Sequence, residues 1–438
     1  MIQTVQWIAA VLFLLAILHT FSAAHFERIA HHCKEHAGVF HLLGEVEAVF
    51  GFWALIMLLM IATLLGPAEA VRYLESCDFT EPMFIFVIMV IAASRPILDF
   101  ARGIVGFLAK LARHPLRRTL SGKAGSENYS PDVPSGVAYY FIALSVTPLL
   151  GSFITEPAAM TLTALMLREM FFSRGISARL KYATIGVLFV NVSVGGVLTP
   201  FAAPPVLMVA GKWGWDVAFM VVHFGWRAIL AVGVNALVVT WVFSRELRGI
   251  RIEGPAPGEE VKMPLFVTIV HLAFLAGVIV FGHHPVIFMG LFLFFLGFTT
   301  AYKRYQDKLI LREGLMVAFF LAGLVTLGGQ QQWWLQDLLM GMDTSSVYFG
   351  AAALTTVTDN AALTYLGSLV QGLSDEFKYA LVAGAVSGGG MTVIANAPNP
   401  AGYSILKGNF PGDTVRASLL ALSALLPTGV AIIAFYVL

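Results

Sequence analysis

Charged residues are scarce: Asp, Glu, Lys and Arg make up 12% of the 438 residues, and the net charge is +1. A nucleic-acid-binding surface needs a basic footprint, which this chain lacks, because its Lys and Arg are gathered in short segments between apolar runs. Cysteine is rarer still, with Cys33 and Cys77 alone, too few for a disulfide framework. No HEXXH, Gly-x-Ser-x-Gly, P-loop or dinucleotide fingerprint occurs, so the usual marks of metalloprotease, serine hydrolase, nucleotidase and dehydrogenase are missing. The opening MIQTVQWIAAVLFLLAILHTFSAAHF has no Lys or Arg ahead of its apolar run, which reads as a first transmembrane helix rather than a cleaved signal.

What is abundant is hydrophobicity, at 58% of residues and a mean hydropathy of +0.81. Apolar stretches of about 20 residues recur along the chain, each long enough to cross a bilayer as a helix. The expectation is an all-α polytopic membrane protein of about eleven spans. Basic residues accumulate on the cytoplasmic side. On that rule the segment 102–133, with Arg102, Lys110, Arg113, Arg117, Arg118 and Lys123, is cytoplasmic, as are those holding Arg245, Arg248, Arg251 and Lys262, and Lys303, Arg304, Lys308 and Arg312. The acidic segment 67–83 and the turn Gly282-His283-His284 then lie outside. Arg28 and Lys34 put 24–38 inside, so the N-terminus is expected outside, in what reads as a bacterial inner membrane.

Within these runs one phrase is written twice. SFITEPAAMTLTAL at 152–165 and TTVTDNAALTYLGS at 355–368 share Thr-acid-x-Ala-Ala-apolar-Thr, with Glu156 and Asp359 at the tips. An ionisable residue at membrane depth is costly and calls for a function. Basic flanks make the first copy dip in from the cytoplasm, whereas the second starts from the outer side, the pattern of an inverted-topology repeat. Lys181-Tyr182-Ala183 recurs as Lys378-Tyr379-Ala380, Gly195-Gly196 as Gly389-Gly390, and Ala203-Pro204 as Ala397-Pro398. Paired glycines and prolines break the helix ladder, tolerable in a membrane where the chain is buried or lines a polar cavity. The expected organisation is an extra helix and inner loop at 1–38 and a first repeat at 39–244, with its hairpin at about 135–172 and broken helix at about 180–210. A linking segment at 245–284 precedes a second repeat at 285–438, with its hairpin at about 345–372 and broken helix at about 378–406.

A polar hairpin tip followed by a broken helix with Gly-Gly and Pro-Asn stretches, once per inverted half, resembles the ion-transporter superfamily of dicarboxylate, citrate and arsenite carriers. Within it the chain is most similar to a group of Na+/H+ antiporters. The resemblance implies a secondary transporter, not an enzyme, that needs no cofactor and forms a homodimer. In the carboxylate carriers the tips are neutral Ser-Asn-Thr; here Glu156 and Asp359 stand there, and Val206 follows Pro205 where an asparagine is expected, while Asn399 is kept in the second half. Bare carboxylates would repel an anionic substrate but suit a carrier that swaps H+ for Na+ or Li+, a hard cation that takes oxygen ligands. Thr155, Thr358, Asn360 and Asn396, with freed carbonyls, complete the expected oxygen cage, and Asn191 and Ser193 approach from the other broken helix.

Other readings compete. Either tip acid could simply cap the helix that follows it, Glu156 just ahead of Pro157 at the first helical position. Asp359 is the stronger ion ligand of the two by its Asn360 and Asn399 company. A Na+-coupled symporter of a small organic anion would seat the anion against Thr199, Asn396 and Asn399. His31 to His36, with Cys33 and Glu35, could hold a metal and make a membrane sensor or hydrolase, although HHCKEH is not HEXXH. Arg95 and Asp99 are spaced as a structural ion pair, Glu45 and Glu47 sit at the inner end of a span, and Arg227, four residues past His223, reads as a snorkelling side chain.

Overall fold

In the computed structural model the described residues are 2–32, 37–111, 136–250 and 263–438. Most of the basic segment 102–133, Arg251 and Lys262 lie outside them, as do Cys33 to His36 of the candidate metal cluster, whose His31 and His32 end α1. The described residues form helices joined by turns and short irregular stretches, without a strand, as lipid demands of a chain that must satisfy its own backbone. In order, the principal helices are α1 (Ile2–His32), α2 (Val46–Leu65), α3 (Pro67–Ser76), α4 (Thr80–Ala92), α5 (Arg95–Leu111), α6 (Gly136–Ile154), α7 (Glu156–Met170), α8 (Ala178–Gly195) and α9 (Pro204–Trp213). There follow α10 (Val217–Val242), α11 (Leu265–Val280), α12 (Pro285–Ala301), α13 (Leu311–Gly328), α14 (Thr344–Thr355), α15 (Asn360–Ser368), α16 (Asp375–Gly388), α17 (Asn399–Leu406) and α18 (Ala417–Val437).

Seven helices among the described residues, α1, α2, α6, α8, α10, α13 and α18, are long and apolar enough to cross a membrane. The pair α4 and α5 adds an eighth if its 65° bend lies within one span. Pro96 at the start of α5 cannot continue the ladder, which accounts for that bend. Arg95 and Asp99 pair there at 3.4 Å, joined by Asp307 at 3.6 Å and Arg102 at 3.7 Å, the structural role their spacing implies.

Four short helices pack in reciprocal pairs. α7 lies against α17, and α9 against α15, so each short helix after a tip packs on the short helix after a break. Small residues permit the close crossings: a Cβ on Gly323 of α13 would overlap the backbone of Phe50 and Gly51 in α2, and one on Gly390 the backbone of Val190. Pro148 inside α6 removes the N–H that would bond the Leu144 carbonyl, and Asn191 Nδ2 of α8 replaces it at 2.8 Å. Asn235 of α10 extends this repair, donating to Asn191 Oδ1 at 2.9 Å and to the Pro427 carbonyl of α18 at 3.2 Å.

Candidate ion site

The tips dock on the broken stretches. Glu156 N–H donates to the Ala202 carbonyl at 3.4 Å and Asn360 N–H to Ala395 at 3.2 Å. Thr199 Oγ1 donates to the Ser152 carbonyl at 2.5 Å, and Thr392 Oγ1 to Thr356 at 2.8 Å. These bonds match Glu156 with Asn360 and Thr155 with Asp359, one residue out of step with the sequence match, which sets Glu156 over Asp359. The shift is already present at Ser152 and Thr356; at Thr155 a φ of 72° turns the chain, and Glu156 is the first residue of α7. Asp359, at φ −72°, stays outside α15 as its cap.

That difference decides which acid is free. Asp359 Oδ1 accepts from Ala361 N at 2.8 Å and Ala362 N at 3.3 Å, so the stronger of the two expected ligands does a cap's work, half-buried. Glu156 makes no cap bond and is 0% exposed. Its Oε2 accepts from Asn396 Nδ2, in the other broken stretch, at 2.8 Å, while Oε1 has no partner. No ion pair to Glu156 is made by the described residues, so nothing cationic among them offsets this carboxylate.

The tips and the second broken stretch hold other buried oxygens without hydrogen-bond partners: Thr155 Oγ1, Asn360 Oδ1, Asn396 Oδ1 and Asn399 Oδ1. Asn360 is fully buried with its Nδ2 unpartnered as well. Asn399 is oriented by Nδ2, which donates to the Gly389 and Thr392 carbonyls, both at 2.8 Å. Hard oxygens in this arrangement suit an alkali cation better than a soft transition metal, and no His, Cys, Asp and Glu cluster of metal-ligating kind occurs among the described residues.

Not every expected ligand belongs. Asn191 is spent on the α6 repair, because Pro148 had freed a carbonyl within its reach. Thr199 is used in docking the first tip. Ser193 Oγ donates to Val386 across the two broken helices at 2.9 Å, and Thr358 lies half-buried beside Asp359. Sequence reasoning missed Ser152 and Thr392, whose only signal is a polar residue at one tip and one break, and Asn235, an amide alone in an apolar run. Elsewhere Glu45 pairs with Arg312, and Arg227 lies over Trp226 at 4.5 Å and Tyr379 at 5.4 Å.

No curated protein matches the sequence. A family model described as "Putative Na+/H+ antiporter" matches residues 4–438, nearly the whole chain, including both tips and both broken stretches. The chain belongs to that family of Na+/H+ antiporters.

Proposed function

We propose that this transporter exchanges H+ for Na+ or Li+ at the buried tips, with Glu156 as the group that holds either the proton or the cation. The observation that carries this reading is the Glu156 carboxylate, fully buried, held on one oxygen by Asn396 and unpartnered on the other, with four further unpartnered oxygens in the tips and the second broken stretch. A carboxylate that water does not reach and no cation pairs is stable only with a proton or a bound metal ion. Exchange of one for the other leaves the charge of the site unchanged, so either form can be carried across. Asp359 lies near enough to Glu156 for the two carboxylates to interact, and when ionised it adds to the field a cation meets.

In this reading the chain is an inverted repeat, 39–244 and 285–438, with two re-entrant hairpins and about eleven spans in a bacterial inner membrane, N-terminus outside. The reciprocal packing of α7 on α17 and α9 on α15 supports the repeat.

One observation favours a second reading, the Na+-coupled symport of a small organic anion: four short helices, α7, α9, α15 and α17, start at this locus, and helix N-termini attract anions. Against it, α7, α9 and α17 each carry proline, which supplies no N–H, within their first two positions, the Glu156 N–H of α7 is spent on Ala202, and α15 is already capped by Asp359. The donors an anion needs are thus depleted. Proteoliposomes decide: Na+ added to one side should move protons with no organic anion present, whereas Na+-driven uptake of labelled succinate or citrate without proton counterflow would establish the symporter.

A further inference from the structure

Each broken helix carries a run of glycines, and their backbone does not require them. Gly196 has φ −78° and ψ −7°, and Gly389 has φ −63° and ψ −15°, conformations open to any L-residue. What excludes a side chain is occupied space. A Cβ on Gly196 would overlap Oε1 and Cγ of Glu156. A Cβ on Gly389 would overlap Ser193 Oγ and come within 2.9 Å of Asn360 Nδ2. Their neighbours exclude a methyl for another reason, since Gly195 faces the backbone of Pro148 and Leu149, and Gly388 the backbone of Ala352. One glycine of each run therefore serves helix packing, and the next makes room for side chains: Glu156 at Gly196, and Ser193 together with Asn360 at Gly389.

We infer that Gly196 and Gly389 are positioning residues for cation exchange: they seat Glu156 and Asn360 in the cage and fix where the free Oε1 and Oδ1 point. This rests on the proposed site. The two are matched by the same hydrogen bonds that match Glu156 with Asn360, so the device is built into both halves. A methyl at 196 leaves the helix path unstrained and displaces the carboxylate that the cation would meet.

The test is compensation by volume in the full chain reconstituted in proteoliposomes. Gly196→Ala should raise the apparent KM for Na+ by about tenfold or more, since displacing a ligating group by an ångström is costly. Shortening the acid in the same protein, Gly196→Ala with Glu156→Asp, should recover most of that loss, although Glu156→Asp alone weakens Na+ binding. Gly389→Ala should raise KM as well, through Asn360, and should not be rescued by Glu156→Asp. A general loss of packing would not produce this selective rescue. A wild-type KM in Gly196→Ala, or a double variant no better than Gly196→Ala while both insert and remain monodisperse, would overturn the inference. If Glu156→Gln retained exchange, the site itself would be misassigned, a different failure with a different readout.

Discussion

At the scale of single residues, the two tip acids divide their labour. Asp359 accepts two N–H groups of its own helix, and Asn in its place would keep them, whereas Ala would not. Thermal unfolding in detergent should therefore show Asp359→Asn near wild type and Asp359→Ala less stable by about 1 kcal/mol. Both should bind Na+ more weakly, since both remove a charge near Glu156; equal Na+ affinity in Asp359→Asn and wild type would restrict Asp359 to capping. The sequence marks both acids as unusual, but not which one is the cap. That depends on where each tip helix starts, with Glu156 inside α7 and Asp359 just outside α15, and no residue-type preference announces the left-handed threonine that precedes Glu156.

At the scale of elements, breaks were legible and repairs were not. Gly-Gly and Pro runs predict where α8 and α16 stop, because their effect on the ladder is local. Asn191 looked like a site residue because its polar partner, the Leu144 carbonyl freed by Pro148, comes from a distant element. Replacing Asn191 with Ala should leave that carbonyl and the Asn235 amide short of partners and cost about 2 kcal/mol, with the KM for Na+ unchanged. Gly323→Ala should cost about 1–3 kcal/mol by forcing α13 off α2, since a methyl there meets backbone that cannot rotate away. Melting temperatures of purified protein measure both, and a Gly323→Ala protein as stable as wild type would mean that the two helices stand farther apart.

At the scale of the whole molecule, hydropathy identified a membrane protein, and the helices that qualify as spans by themselves are fewer than its apolar stretches. About eleven were expected; seven described helices meet the length and composition of a span, because bent and broken segments divide their apolar residues between short pieces. The inverted repeat predicts that cysteines introduced at Arg174 and Glu376, in a chain without Cys33 and Cys77, react with an impermeant thiol reagent from opposite faces; labelling from one face would remove it. Competition between H+ and Na+ for one carboxylate predicts a higher apparent KM for Na+ as pH falls, by at most about tenfold per pH unit, and slower exchange in acid. The central claim is that Glu156 carries the exchanged ion, and Glu156→Gln keeps its shape while deleting the charge. In inside-out vesicles with an imposed pH gradient, wild-type protein should collapse the gradient on addition of Na+, and Glu156→Gln protein, inserted at equal level, should not; collapse at the wild-type rate would contradict the account.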